Sequence, residues 1–243
     1  MIETLTALIL AHVLADFILQ PAAMAAGKRK PLILLAHGSV VFLTALACTG
    51  AAHPALVALA VVHMAIDLTK ALSGRGGFGA FMADQAAHAV SLGAVAMLVP
   101  GLWTEGLWAK DLGAGHTALP ALMAVLAGAI LATRAGGFAI GLLMAPWADQ
   151  IRLDGLPSGG RTIGHLERGL IFGMILAGMP EGIGFLIAAK SVLRFGTVRE
   201  EAKLSEYVII GTLASFGWAM AAALLTITLM SALPPLGIPV FPS

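Results

Sequence analysis

The sequence predicts an all-α polytopic integral membrane bundle of about six to seven membrane segments, and three observations predict it. Of 243 residues, 59% are hydrophobic and only 11% charged, against roughly 25% charged in soluble domains; the mean hydropathy is +0.94. Apolar runs close to the roughly 20 residues that span the hydrocarbon core follow one another along the chain. The 29 glycines, with abundant alanine, let membrane helices approach closely.

The segments read in order. Segment one covers residues 2–24, before the basic turn Gly27-Lys28-Arg29-Lys30-Pro31. It lacks a basic n-region and is interrupted by His12 and Asp16, so it reads as a retained helix and not a signal peptide. Segment two is near 31–50, segment three near 54–72, and Ser73-Gly74-Arg75-Gly76-Gly77 is the loop after it. Segment four is near 79–100, stopped by Pro100-Gly101. Residues 101–116 are more polar, and Trp103 and Trp108 there read as an interfacial belt. Segment five runs from 117 to about 146, either as one long tilted helix or broken at Gly136-Gly137. Residues 147–163 form a loop, and segment seven is near 206–232. Residues 1–100 read as a four-helix unit and 101–243 as a three-segment unit, packed as one membrane domain.

The stretch 164–195 is the difficult one. If segments one to five each cross once, Lys28-Arg29-Lys30, Lys70, Arg75, Arg152 and Arg161 share one side, which the positive-inside rule makes cytoplasmic. Arg194, Arg199 and Lys203 join them only if 164–195 does not cross. A re-entrant or interfacial hairpin bent at Pro180 is therefore expected.

Net charge is +1, and no basic patch suggests nucleic acid. Cys48 is the single cysteine, so an intramolecular disulfide and a cysteine-only metal site are both excluded. It reads as a small packing residue.

The chemistry lies in three pairs: His12-x-x-x-Asp16, His63-x-x-x-Asp67 and Asp84-x-x-x-His88. A four-residue step returns to nearly the same helix face. An Asp in mid-membrane costs roughly 2.5–3.5 kcal/mol on insertion scales. The pairs run His-then-Asp on segments one and three, which go inward, and Asp-then-His on segment four, which goes outward. With His37 on segment two, all seven groups fall in one layer of the cytoplasmic half.

Four histidines and three aspartates suit one or two divalent cations such as zinc or manganese. A cation would also offset the burial of carboxylates. Gln20, Gln85 and Ser91 flank the layer and are candidates to contact substrate or a bound water. A single His–Asp pair also serves as interhelical glue, and for one pair alone that reading leads. Three pairs and His37 in one layer favour a functional site.

Elsewhere, Glu167 and Arg168 read as an interfacial ion pair, and Lys190 and Arg194 as residues reaching headgroups. Glu181 lies at the hairpin tip, facing either the polar layer or the far interface. His53 and His116 read as loop residues, and Arg134 as a helix-break or interface residue.

The motifs His12-x-x-x-Asp16-Phe17-x-Leu19-Gln20, His63-x-x-x-Asp67 and Asp84-Gln85-x-x-His88 resemble an uncharacterised bacterial multi-pass membrane family known only as a domain of unknown function. Gly164-His165-Leu166-Glu167-Arg168, Ala189-Lys190-Ser191-x-x-Arg194-Phe195 and Glu206-Tyr207 continue the likeness, as does Ile210-Gly211-Thr212-Leu213-x-Ser215-Phe216. The resemblance implies the bacterial inner membrane and no particular activity. A fainter likeness is to membrane-bound metal-dependent hydrolases, whose His-Arg-x-x-Thr-His-Ser type of segment this chain lacks.

The functional expectation is an intramembrane metal-dependent hydrolase acting on a lipid-linked or membrane-accessible substrate from the cytoplasmic side. One carboxylate that does not ligate metal would be its general base, and Lys190, Arg194 or Arg168 would face the headgroup. Two rivals stand beside it. One is a proton- or ion-coupled transporter, which buried Asp and His groups also suit, although no inverted repeat is visible. The other is a membrane scaffold or partner subunit.

Overall fold

The computed structural model describes residues 1–111, 117–150, 156, 158–194 and 202–236, apart from the side chains of 193, 194 and 202. His116, Arg152, Arg199 and the Arg194 side chain lie outside that set. The described secondary structure is helical, and the chain divides into two compact units: Met1–Ile130 with Thr228–Ile238, and the segment Leu131–Ile227.

In the first unit, α1 (Ile2–Phe17) is followed by the short α2 (Ala22–Ala26), then α3 (Pro31–Thr49), α4 (Pro54–Ser73), α5 (Gly77–Leu98), the short α6 (Leu107–Asp111) and α7 (Leu119–Ile130). The punctuation is local chemistry. Pro31 and Pro54 open α3 and α4 where the missing N–H is harmless. The His53 ring caps α4 by accepting from the Ala55 N–H at 3.1 Å. Gly50 and Gly74 close α3 and α4 with φ of +66° and +64°, a left-handed cap that glycine adopts without strain.

Helix α1 packs on α3, α3 on α4, α4 on α5, and α5 back on α1, so four helices close a ring; α7 lies against α1. Ala15, Val41 and Ala60 form a small apolar cluster joining α1, α3 and α4. Gly38 brings α3 close to α4, since a Cβ there would collide with Met64. The neighbours of these two residues, His37 and His63, are carried inward by that approach. Outward-facing Leu32, Val90 and Leu98 are 82%, 72% and 81% exposed. Such faces suit lipid and not water.

The second unit contains a π turn (Leu131–Ala135), α8 (Gly136–Ala148), α9 (Gly159–Leu176), α10 (Glu181–Arg194) and most of α11 (Ala202–Ser231). Ile171, Ile183, Phe216 and Ala219 make its core from α9, α10 and α11.

Among the described residues, five segments are long and apolar enough to cross a membrane: Pro31–Thr49, Pro54–Ser73, Gly77–Leu98, Leu119–Ala148 and Lys203–Ser231. The shortfall from the expected six to seven has two sources. Segment one ends at Phe17 and not near 24, because Pro21 disfavours helix at the residue before it. Its 16 residues rise only about 24 Å, against a hydrocarbon core of about 30 Å. Within the stretch expected near 164–195, the described residues 164–194 are not one helix. The chain turns at Ala177–Pro180, with Gly178 at φ +64°, and α10 packs back on α9.

Segment five proves continuous. The Gly136-Gly137 region follows a π turn and does not break the helix. Trp103 departs from the interfacial reading: it is 3% exposed, and its backbone N–H donates to Thr4 Oγ1 at 3.1 Å. Trp108 is 36% exposed, with its indole N–H donating to the Ala47 carbonyl at 2.7 Å.

Candidate metal centre

Each helix of the ring sends side chains inward: His12 and Asp16 from α1, His37 from α3, His63 and Asp67 from α4, and Asp84 and His88 from α5. All seven meet inside the first unit. His37 and His88 are fully buried, and the other five side chains are at most 8% exposed.

The tightest part is a set of four atoms. His37 Nε2 and His63 Nε2 are 3.1 Å apart. Asp16 Oδ1 is 3.3 Å from each of them. Asp67 Oδ2 is 3.3 Å from His37 Nε2 and 3.4 Å from His63 Nε2. Ligands 2.0–2.1 Å from a tetrahedral zinc are about 3.3–3.4 Å apart. These five separations match the edges of such a site, and Asp16, His37 and His63 could together hold a metal ion.

Hydrogen bonding accounts for only part of the arrangement: His37 Nε2 is shared between His63 and Gln20, while the carboxylates stand at ion-pair distance from the two rings. Asp16 Oδ1 and Asp67 Oδ2 are buried and accept no hydrogen bond among the described residues. An unsatisfied buried acceptor costs about 1–3 kcal/mol, more when charged. A divalent cation among the four atoms would satisfy both oxygens at once.

A second set continues the first. His88 Nε2 lies 3.7 Å from both Asp67 Oδ1 and Asp84 Oδ1, and these three residues could share a metal ion. His88 Nε2 and Asp84 Oδ1 are also without hydrogen-bond partners. Asp67 thus presents one oxygen to each set. His12, His63 and His88 make a third grouping within ligand reach, and the His63 and His88 rings stack at 4.0 Å.

The flanking amides touch the layer. Gln20 Nε2 lies 3.0 Å from His37 Nε2. Gln85 Oε1 lies 3.3 Å from His12 Nε2, while its amide nitrogen donates to Asp84 Oδ2 at 3.2 Å. Ser91 instead donates to the His88 carbonyl at 2.7 Å.

Two members were missed from sequence. Lys28 Nζ donates to Asp67 Oδ1 at 2.6 Å, and Lys70 Nζ to Asp84 Oδ2 at 2.8 Å. Both read as charges marking the cytoplasmic side. For Lys70 a signal existed, since it follows Asp67 by one helical turn and so shares the face of that pair. For Lys28, in a loop, none did.

The candidates of the second unit form a separate, self-satisfied network. Glu167 pairs with Lys190 at 2.8 Å and not with Arg168. Arg168 is 3% exposed. It donates to the carbonyls of Ala132 and Thr133 in the π turn at 3.0 and 3.1 Å, and to Ser215 Oγ at 3.0 Å. A π turn frees backbone carbonyls, and Arg168 takes them up. Neither the interfacial Glu167–Arg168 pair nor a headgroup-reaching Lys190 appears: the acid and the two bases take their partners inside the unit. Glu181 is exposed in the first turn of α10. His165 Nδ1 donates to the Arg161 carbonyl at 2.8 Å.

Neither a curated protein nor a solved structure matches this chain. Over residues 4–107 it is similar to a family described as a protein of unknown function (DUF3307). That span holds the seven His and Asp residues of the layer and its two lysines, Lys28 and Lys70, and it ends before the motifs of the second half.

Proposed function

We propose that this chain is an intramembrane metal-dependent hydrolase, with a zinc- or manganese-class ion among Asp16, His37, His63 and Asp67. The observation that carries the reading is the metal-ligand spacing of 3.1–3.4 Å between two histidine nitrogens and the two carboxylate oxygens that flank them, oxygens that accept no hydrogen bond among the described residues. Asp67 would bridge to a second ion at Asp84 and His88, the arrangement by which paired metals hold a water and a substrate oxygen side by side. Bound ions would supply a water nucleophile at neutral pH. Gln20 and Gln85, at the edges of the layer, would orient that water. The inner membrane of a bacterium is the proposed location, with the layer nearer the cytoplasmic face.

The first experiment is elemental mass spectrometry of detergent-purified protein, before and after incubation with zinc or manganese. Two ions per chain are expected, accompanied by chelator-sensitive hydrolysis of ester and phosphate-ester probes. One ion per chain would make Asp84 and His88 an acid–base pair beside a single metal. Substoichiometric metal with no uptake sinks the enzyme reading. Proton-coupled solute uptake that depends on Asp67 would then favour the carrier. A stability defect alone on replacing the seven residues would favour the scaffold.

A further inference from the structure

Helices α4 and α5 do not close against each other along their whole length. Between them, at the end joined by the Gly74–Gly76 loop, is an open groove of about 770 Å³, within the roughly 300–1,000 Å³ of small-molecule sites. Apart from Ile66, its apolar walls are small side chains. Gly79, Ala83 and Ala87 recur every four residues on α5, and Ala65 faces them from α4.

The polar lining is confined to three residues, Lys70, Arg75 and Asp84, beside the hydroxyls of Thr69 and Ser73. Asp84 is 8% exposed, and its Oδ1 has no hydrogen-bond partner among the described residues. It belongs to both the groove and the candidate metal centre. The groove therefore borders the site at Asp84, whose Oδ2 is held by Lys70 from the groove and whose Oδ1 faces His88.

We infer that the groove binds a chain-bearing phosphate ester of the bilayer, its headgroup between Lys70 and Arg75 and its hydrocarbon along Ala65, Ala83 and Ala87. With Lys70 paired to Asp84 the lining keeps a net positive charge, and a guanidinium fork beside an ammonium suits the several oxygens of a phosphate better than the two of a carboxylate. The apolar walls suit a chain and offer nothing to a soluble phosphate. Lys70 is already 37% exposed while it holds Asp84, so its ammonium can serve carboxylate and headgroup together. The substrate role rests on the hydrolase reading, whereas binding in the groove does not. Hydrolysis of such an ester joins a water oxygen to phosphorus and breaks the phosphorus–oxygen bond to the chain, with one water proton passing to the leaving oxygen.

The test uses the full-length protein in phosphatidylcholine nanodiscs with an alkyl phosphate carrying a photoreactive diazirine in its chain. Crosslinks mapped by mass spectrometry should concentrate on residues 65–69 and 79–87. Dodecyl phosphate should compete with the probe; dodecanol, dodecanoate and inorganic phosphate should not. Lys70→Gln with Arg75→Gln should weaken competition by about tenfold or more. Gly79→Phe should abolish labelling; a Cβ at Gly79 meets no atom within 4 Å, so the added ring fills the groove and not the core. Labelling spread evenly over lipid-facing helices, or unchanged in either variant, overturns the inference. Equal competition by dodecanoate overturns the phosphate assignment. Metal content measured on the same samples separates the readings: groove labelling without metal removes the hydrolase and keeps the site, and metal without labelling does the reverse.

Discussion

The two units each bury a cluster of charged side chains, and they do so to opposite ends. In the second unit each buried charge among the described residues is answered within the protein: Glu167 by Lys190, and Arg168 by two π-turn carbonyls and Ser215. In the first unit the outer oxygens of Asp67 and Asp84 are answered by Lys28 and Lys70, while the inner ones and the His88 ring nitrogens are left without hydrogen bonds, the oxygens facing only histidine nitrogens at 3.3–3.7 Å. Both clusters are costly in a membrane. A satisfied network holds helices together. An unsatisfied one, with its open atoms converging at metal-ligand spacing, is arranged for something that is not part of the chain. The difference between structure and site is thus read from pairing and not from burial or charge.

The largest expected effect breaks the comparison on the site side. His63 belongs to two of the three ligand groupings, so His63→Ala should lower metal affinity by more than about 100-fold, beyond the 10–100-fold of outer-shell changes. Size-exclusion behaviour should stay that of the wild type. A variant that keeps its full metal would show that the His/Asp layer is interhelical glue like the second cluster.

On the structural side, Arg168→Ala should cost about 3–5 kcal/mol, because it strands two π-turn carbonyls and Ser215 at once. The readout is a lowered melting temperature in detergent with metal content unchanged. Loss of metal in this variant would mean the units do not divide the two tasks. Glu167→Gln is milder. It leaves Lys190 a neutral acceptor, and about 1–2 kcal/mol of stability should go, again without change in metal.

Much of the site was legible before the fold. A four-residue His/Asp step fixes a helix face, and the reversal of order in Asp84-x-x-x-His88 matches a helix that runs the other way. Those two facts locate six side chains without any contact being known, and the depth of His37 on its segment adds the seventh. Pro31, Pro54, Gly50 and Gly74 marked the ends of α3 and α4 for equally local reasons. What stayed hidden depends on partners distant in sequence. The Glu167–Lys190 pair forms only because α10 folds back on α9, and nothing in Glu167-Arg168 tells which of the two neighbours takes which partner. Trp103 looked interfacial because its surroundings are polar, yet its burial is set by the N-terminus, through Thr4. Lys28 looked like a topology signal because loop lysines usually are, and its reach to Asp67, 39 residues away, is a property of the closed ring.

Lys28 therefore offers the finest test of the comparison, with the smallest expected effect. Its ammonium sits 2.6 Å from Asp67 Oδ1, the oxygen that faces His88, and its side chain is 13% exposed. In the metal-free chain it stabilises Asp67; beside a second cation it repels. Lys28→Met should thus act in two directions. Without metal, the protein should melt lower, since a charge-assisted bond of about 1.5–3 kcal/mol is gone. With metal, the second ion should bind about tenfold tighter, as one like charge leaves a low-dielectric site, and the first ion should be little affected, because Asp67 Oδ2 and not Oδ1 faces His37 and His63. Added zinc should then raise the melting temperature of the variant more than that of the wild type. If the variant instead loses the first ion, Lys28 orients Asp67 as a ligand, and the line between answered and unanswered charges runs through Asp67 itself.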